Sequence, residues 1–145
     1  KNTVFDVLRH LSVPFDRVEV VEEEGEVIRV NIETERAPFL IGSMGARLEA
    51  LQHLVKNILW KKEIKDCFLI LDIDHYKKNR EERVLQLGRE KAEAVQQTQM
   101  TQEMPPLDPY LRRLVHLDLV SVEGIKTESF GEGSRKKIQI SPVEE

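Results

Sequence analysis

The sequence predicts an α+β protein of two small units joined by a long helix. Runs with helical spacing alternate with short strand-like runs along the whole chain. A proline-free helical pattern from about His75 to Gln97 separates two such groups, and no Gly/Ser-rich linker lies between them. With 145 residues, 40% hydrophobic and 33% charged, the chain can bury a core in each half.

Residues 2–11, "NTVFDVLRHL", place Val4, Val7, Leu8 and Leu11 at helical intervals, and Pro14 stops the pattern. "VEVVEEEGEVIRVNIE" then predicts an antiparallel hairpin around a Glu-Gly turn, with Ile28, Val30 and Ile32 alternating onto one face. A short apolar turn follows Pro38, and a helix from about Ala46 to Trp60 carries Leu48, Leu51, Val55, Ile58 and Leu59 inward. "DCFLILDID" reads as a buried strand, and Asp74 as the cap of the long helix, whose inner side holds Val84, Leu87, Ala92 and Val95. "QMTQEMPPL" supplies a short strand. "DPYLRRLVHLDLV" starts a helix with Asp108 at the cap and Pro109 in the first turn, and "IKTESFGEGSRKKIQIS" closes the chain as two strands around a glycine-containing loop. The expected domains are 1–76 and 77–145, the second including the connecting helix.

Charge and composition exclude several classes. The net charge is −4, and all of it falls in residues 1–74, which hold ten Lys/Arg against fourteen Asp/Glu, whereas residues 75–145 hold twelve of each. The acid excess centres on "EVVEEEGEV", expected on the turn and outer face of the hairpin. No apolar run approaches the roughly 20 residues of a membrane helix, so no membrane insertion is expected. The single cysteine, Cys67, sits in "CFLILDI" and reads as a buried small hydrophobe, which rules out an internal disulfide and a cysteine-based zinc site. The chain begins at Lys1 rather than Met, as an excised fragment would.

"LIGSMGARLEALQHLV" sets Gly42 and Gly45 directly before a helix. Glycines allow a tight turn and the close approach of another backbone, and the helix offers free N–H groups and its positive dipole end at the same place. These are the requirements for gripping a phosphodiester, with Ile41 and Leu48 as an apolar edge beside it. A plain tight turn between helices needs the same glycines. In "DPYLRRLVHLDLV", Arg112 and His116 are four apart and share a helix face, where an arginine fork and a ring nitrogen can each donate to a phosphate. A surface arginine beside a half-buried histidine would show the same spacing. Arg135, Lys136 and Lys137 in "SRKKIQI" add positive charge, or form a solvated strand end.

The element order around the glycines resembles a KH domain of the bacterial kind (type II), whose GXXG loop clamps the backbone of about four nucleotides. Here the loop departs from the usual pattern: it holds Ser43 and Met44 where at least one Lys or Arg is customary, and Arg47 is the residue placed to substitute. The Arg-x3-His helix with its following strands resembles the small α/β R-3-H domain, which binds single-stranded nucleic acid. In this order, with "ILDIDHYKKNREER" at the junction, the chain resembles the C-terminal part of the bacterial Jag (SpoIIIJ-associated) family, without that family's N-terminal Jag domain. The resemblance implies a cytoplasmic, post-transcriptional RNA-binding regulator of the cell envelope, cell shape or division, partnered by single-stranded RNA or ssDNA. A small KH-only protein or a second copy is the implied protein partner. Its motif residues fall on Gly42, Ser43, Met44, Gly45, Arg112 and His116.

Two other classes compete. "DIDHY" gathers Asp72, Asp74 and His75 as a metal site might, but nothing completes the shell, and neither a nucleophile with its base nor a phosphate loop is evident, so no enzyme, metal or cofactor is expected. A protein-interaction adapter using a degenerate KH surface fits the acidic hairpin and the uncharged loop.

Overall fold

The computed structural model describes residues 2–64 and 68–143, and Cys67 lies outside them. The chain divides into two compact units, 1–78 and 79–145.

The first unit runs α1 (Asn2–His10), β1 (Arg17–Glu23), β2 (Val27–Glu33), α2 (Ala37–Ile41), a single 3-10 turn at Ser43–Gly45, α3 (Ala46–Lys61) and β3 (Phe68–Ile73). The sheet has the order β1-β2-β3. β1 and β2 form the expected hairpin, with Val20 opposite Val30, and β3 joins β2 in parallel, with Leu71 opposite Val30. A parallel pair needs a long crossover, and α2 with α3 supplies it. Val30, Ile32, Leu71 and Ile73 meet Val4 and Leu8 of α1 and Leu48 and Val55 of α3 in one core.

Departures from the expected elements have local causes. α1 ends at His10 because Ser12 takes a left-handed φ of 52°, and Leu11 is left half exposed. Ile58 and Leu59 are half-buried rather than fully inward. β2 also buries Arg29 and Asn31, the polar residues of its alternation. Arg29 Nε donates to Glu23 Oε1 at 2.6 Å and its Nη1 to Asp72 Oδ2 at 3.4 Å, which satisfies charges that would otherwise be costly to bury.

The cap of the long helix is Asp72, not Asp74. Asp72 is fully buried and accepts from the amides of Lys77 at 2.8 Å and Lys78 at 3.0 Å. Asp74 accepts instead from the Thr34 amide. Both Asp74 (φ 46°) and His75 (φ 57°) are left-handed, so the chain reverses there and brings the helix start back over the strand end.

The helix α4 (Tyr76–Thr98) carries the chain into the second unit, which continues through β4 (Gln102–Glu103), α5 (Pro109–Leu119), β5 (Ile125–Phe130), a 3-10 turn at Gly133–Arg135 and β6 (Lys137–Pro142). Its antiparallel sheet has the order β4-β6-β5. Ala92 and Val95 of α4, Leu111, Val115 and Leu119 of α5, and Ile138 and Ile140 of β6 form its core with Met104. Gly88 lets α4 and α5 approach: a Cβ there would stand 3.3 Å from Val115 Cγ1. Asp108 caps α5 as the sequence predicts, its Oδ1 accepting from the Leu111 amide at 2.9 Å, with Pro109 in the first turn.

Candidate nucleic-acid interface

In the first unit the glycine loop is a chain reversal leading straight into α3. Gly42 adopts φ 70° and ψ −172°, a region that essentially only glycine occupies. Gly45 is left-handed at φ 82°, and a Cβ there would stand 3.1 Å from the Tyr76 ring. Between them Ser43 and Met44 are exposed, Met44 in a left-handed conformation with 86% of its surface open. Ile41 is half-buried against the core. The cap position of α3 is Gly45, which supplies no side-chain cap, so the helix start keeps the positive dipole character an anion would meet.

Arg47 folds back over the loop's first glycine. Its Nη1 donates to the Phe39 carbonyl at 2.9 Å, and its guanidinium sits 4.6 Å from the Phe39 ring centroid. The side chain flanks the loop and stays exposed, held by an intramolecular contact at Phe39. Phe39 itself is 56% exposed, and no motif in the sequence singles it out.

The second unit holds Arg112 and His116 on successive turns of α5, both half-buried. Arg112 Nη1 donates to the Leu107 carbonyl at 2.6 Å, which leaves the rest of the five-donor fork for another acceptor. The Leu107 amide in turn donates to the Lys136 carbonyl, so one residue ties Arg112 to the backbone of the 135–137 segment. Arg135 and Lys136 are exposed, whereas Lys137 is partly covered and pairs with Glu103 at 3.4 Å.

His116 is held from both sides. Its Nδ1 lies 2.7 Å from Thr127 Oγ1 and its Nε2 3.0 Å from Ser129 Oγ, both on β5. Burial, and then the nearby Arg112 charge, push its pKa below the ordinary histidine value. Neither hydroxyl is among the residues expected from the sequence. The alternation of "IKTESF" carries the signal, since it puts Ile125, Thr127 and Ser129 on one strand face.

The trio Asp72, Asp74 and His75 does not form a metal site, because Asp72 is taken up by Arg29 and the α4 amides. His75 falls instead near Glu19 and Glu33, with one ligand atom of each within 4.8 Å of the others. The His75 ring and amide both contact the buried Asn31 side chain.

Residues 82–142 match the R-3-H domain family. Over 138 residues the chain is 31% identical to "RNA-binding protein KhpB" of Clostridium symbiosum, covering 95% of this chain and 61% of that protein. It is 30% identical over 123 residues to the protein of the same name from Bacillus subtilis strain 168, covering 83% of this chain and 59% of that protein. The chain belongs to the Jag family. It spans about three fifths of the length of these two relatives. A third relative, from Lactiplantibacillus plantarum, is also called RNA-binding protein KhpB and is 24% identical over 112 residues, 77% of this chain and 35% of that protein. Both Arg112 and His116 of this Jag-family chain lie inside the matched R-3-H segment, as do Thr127, Ser129 and residues 135–137. Among the described residues, no helix is long and apolar enough to cross a membrane.

Proposed function

We propose that the chain binds single-stranded nucleic acid, RNA in the first instance, through two modules and performs no catalysis. The observation that carries this is the Arg112 and His116 pair on α5, inside the segment that matches the R-3-H family, with the Arg112 fork only partly used by Leu107. The names of the relatives, RNA-binding proteins, support the choice of RNA.

The first unit is read as a type II KH domain and the second as the R-3-H domain. In the first, the loop Gly42, Ser43, Met44, Gly45 and the uncapped start of α3 would grip the phosphodiester, with Arg47 as the flanking cation and Ile41 as the apolar edge. In the second, Arg112 and His116 would be joined by Arg135, Lys136 and Lys137. The family's implied setting is post-transcriptional control of envelope, shape or division in the cytoplasm, with a small KH-only protein or a second copy as protein partner.

The experiment is a titration of a fluorescent single-stranded RNA pool at several salt concentrations. About three to five phosphate contacts give a log–log salt slope of roughly −2 to −4 on single strands. Arg112→Ala should weaken binding, and Ser43→Asp/Met44→Asp should repel the strand from the loop.

One observation favours the adapter reading. Leu11, Phe39, Leu51 and Leu54 line an open, mainly apolar groove of about 380 Å³ in the first unit. Absence of RNA binding at low salt, with a shift to a larger species at high protein concentration, would favour it.

A further inference from the structure

We infer that the Ser129 hydroxyl is a further nucleic-acid-contacting group, its proton aimed outward by His116 and Thr127. The inference rests on the single-strand-binding reading of this unit and adds a residue that neither the Arg-x3-His spacing nor the charge pattern indicates.

A neutral imidazole has one donor and one acceptor nitrogen, and both nitrogens of His116 face hydroxyls. The contacts at Nδ1, 2.7 Å, and at Nε2, 3.0 Å, are both of hydrogen-bond length, and the surroundings of the two hydroxyls set the direction. Thr127 is half-buried, and among the described residues Nδ1 is the acceptor its hydroxyl meets, so its proton is directed there. The order is therefore Thr127 O–H to Nδ1, then Nε2–H to Ser129 Oγ. Ser129 accepts from the ring, so its own proton is not used on His116. Ser129 is exposed, on the strand at the sheet edge next to α5, and that proton faces an incoming acceptor. A phosphate oxygen accepts and never donates when ionised, so this polarity fits the ligand. The opposite tautomer would present Ser129 lone pairs to a phosphate and repel it.

This changes the role expected of His116. With both ring nitrogens taken inside the protein, it is a positioning residue that polarises a short hydroxyl–imidazole–hydroxyl chain. Arg112, one turn away, supplies the charge.

The test uses the full chain with a fluorescent single-stranded RNA at low salt, with wild type, Ser129→Ala, Ser129→Thr and Arg112→Ala. NMR of the histidine ring nitrogens provides a readout that a merely structural role would not move. The expected results are about a tenfold loss for Ser129→Ala, the worth of one hydrogen bond to a charged group, retained affinity for Ser129→Thr, and a His116 ring with its proton on Nε2. If Ser129→Ala binds like wild type while Arg112→Ala loses affinity, Ser129 is not a contact and the RNA reading survives. A proton found on Nδ1 overturns the proposed polarity. If wild type binds no RNA, both readings fall.

Discussion

The Cγ atom of Arg47 lies 2.7 Å from where a Cβ on Gly42 would stand, and two further carbons of that side chain are within 3.1 Å. The arginine stem thus rests in the space that glycine leaves open. Gly42→Ala should be destabilised by about 3 kcal/mol, from its glycine-only backbone conformation and the overlap together. Adding Arg47→Ala should relieve the overlap with Cγ and Cδ while keeping the Cβ contact at 3.0 Å, so a double-mutant cycle in urea should show a coupling well away from zero. Additive effects would mean that Arg47 does not rest on Gly42.

Asp72→Asn should cost about 3 kcal/mol in chemical denaturation, because it removes the buried charge facing Arg29 and weakens the hold on the α4 amides. Asp74→Asn should change stability by less than about 0.5 kcal/mol, since asparagine accepts from the Thr34 amide equally well and tolerates the left-handed backbone. Comparable losses at both positions would contradict the cap assignment.

Much of this architecture is legible in the sequence, and what was not legible depends on partners far along the chain. Helical spacing and the Asp108-Pro109 start need only local rules, and the structure follows them. Choosing Asp72 over Asp74 required the reversal at Asp74 and His75, which no spacing rule signals because neither residue is glycine. Arg29 and Asn31 alternate as a solvent-facing set would, and they are buried because Asp72 and His75 arrive 43 and 44 residues later. At the candidate interface, the Arg-x3-His spacing was visible, but Thr127 and Ser129 become its partners only when β5 packs beside α5.

The pH response of His116 follows from its depressed pKa. The unfolded chain takes up a proton near the ordinary value of about 6.5, before the folded chain does. The contribution to stability is therefore complete above that value and is lost as pH falls through the lower folded value. An NMR titration should give a midpoint below 6.5 in wild type and a higher one in Arg112→Ala, because the arginine charge is part of the cause. A wild-type midpoint at or above 6.5 would contradict the half-buried environment.

Asp108→Ala should cost about 1 kcal/mol, the usual worth of a helix cap. Because α5 carries Arg112 and His116, the same variant should also weaken RNA binding, measured by anisotropy. A loss of stability with unchanged affinity would show that the start of α5 does not set the site's geometry.

Amide NMR of the full chain during titration with a short single-stranded RNA at low salt tests binding through both modules directly. The expected result is that shifts concentrate at residues 42–47 and at Arg112, His116, Thr127 and Ser129, leaving the acidic hairpin of residues 16–35 unmoved. Shifts confined to other surfaces, or none at all, would contradict it.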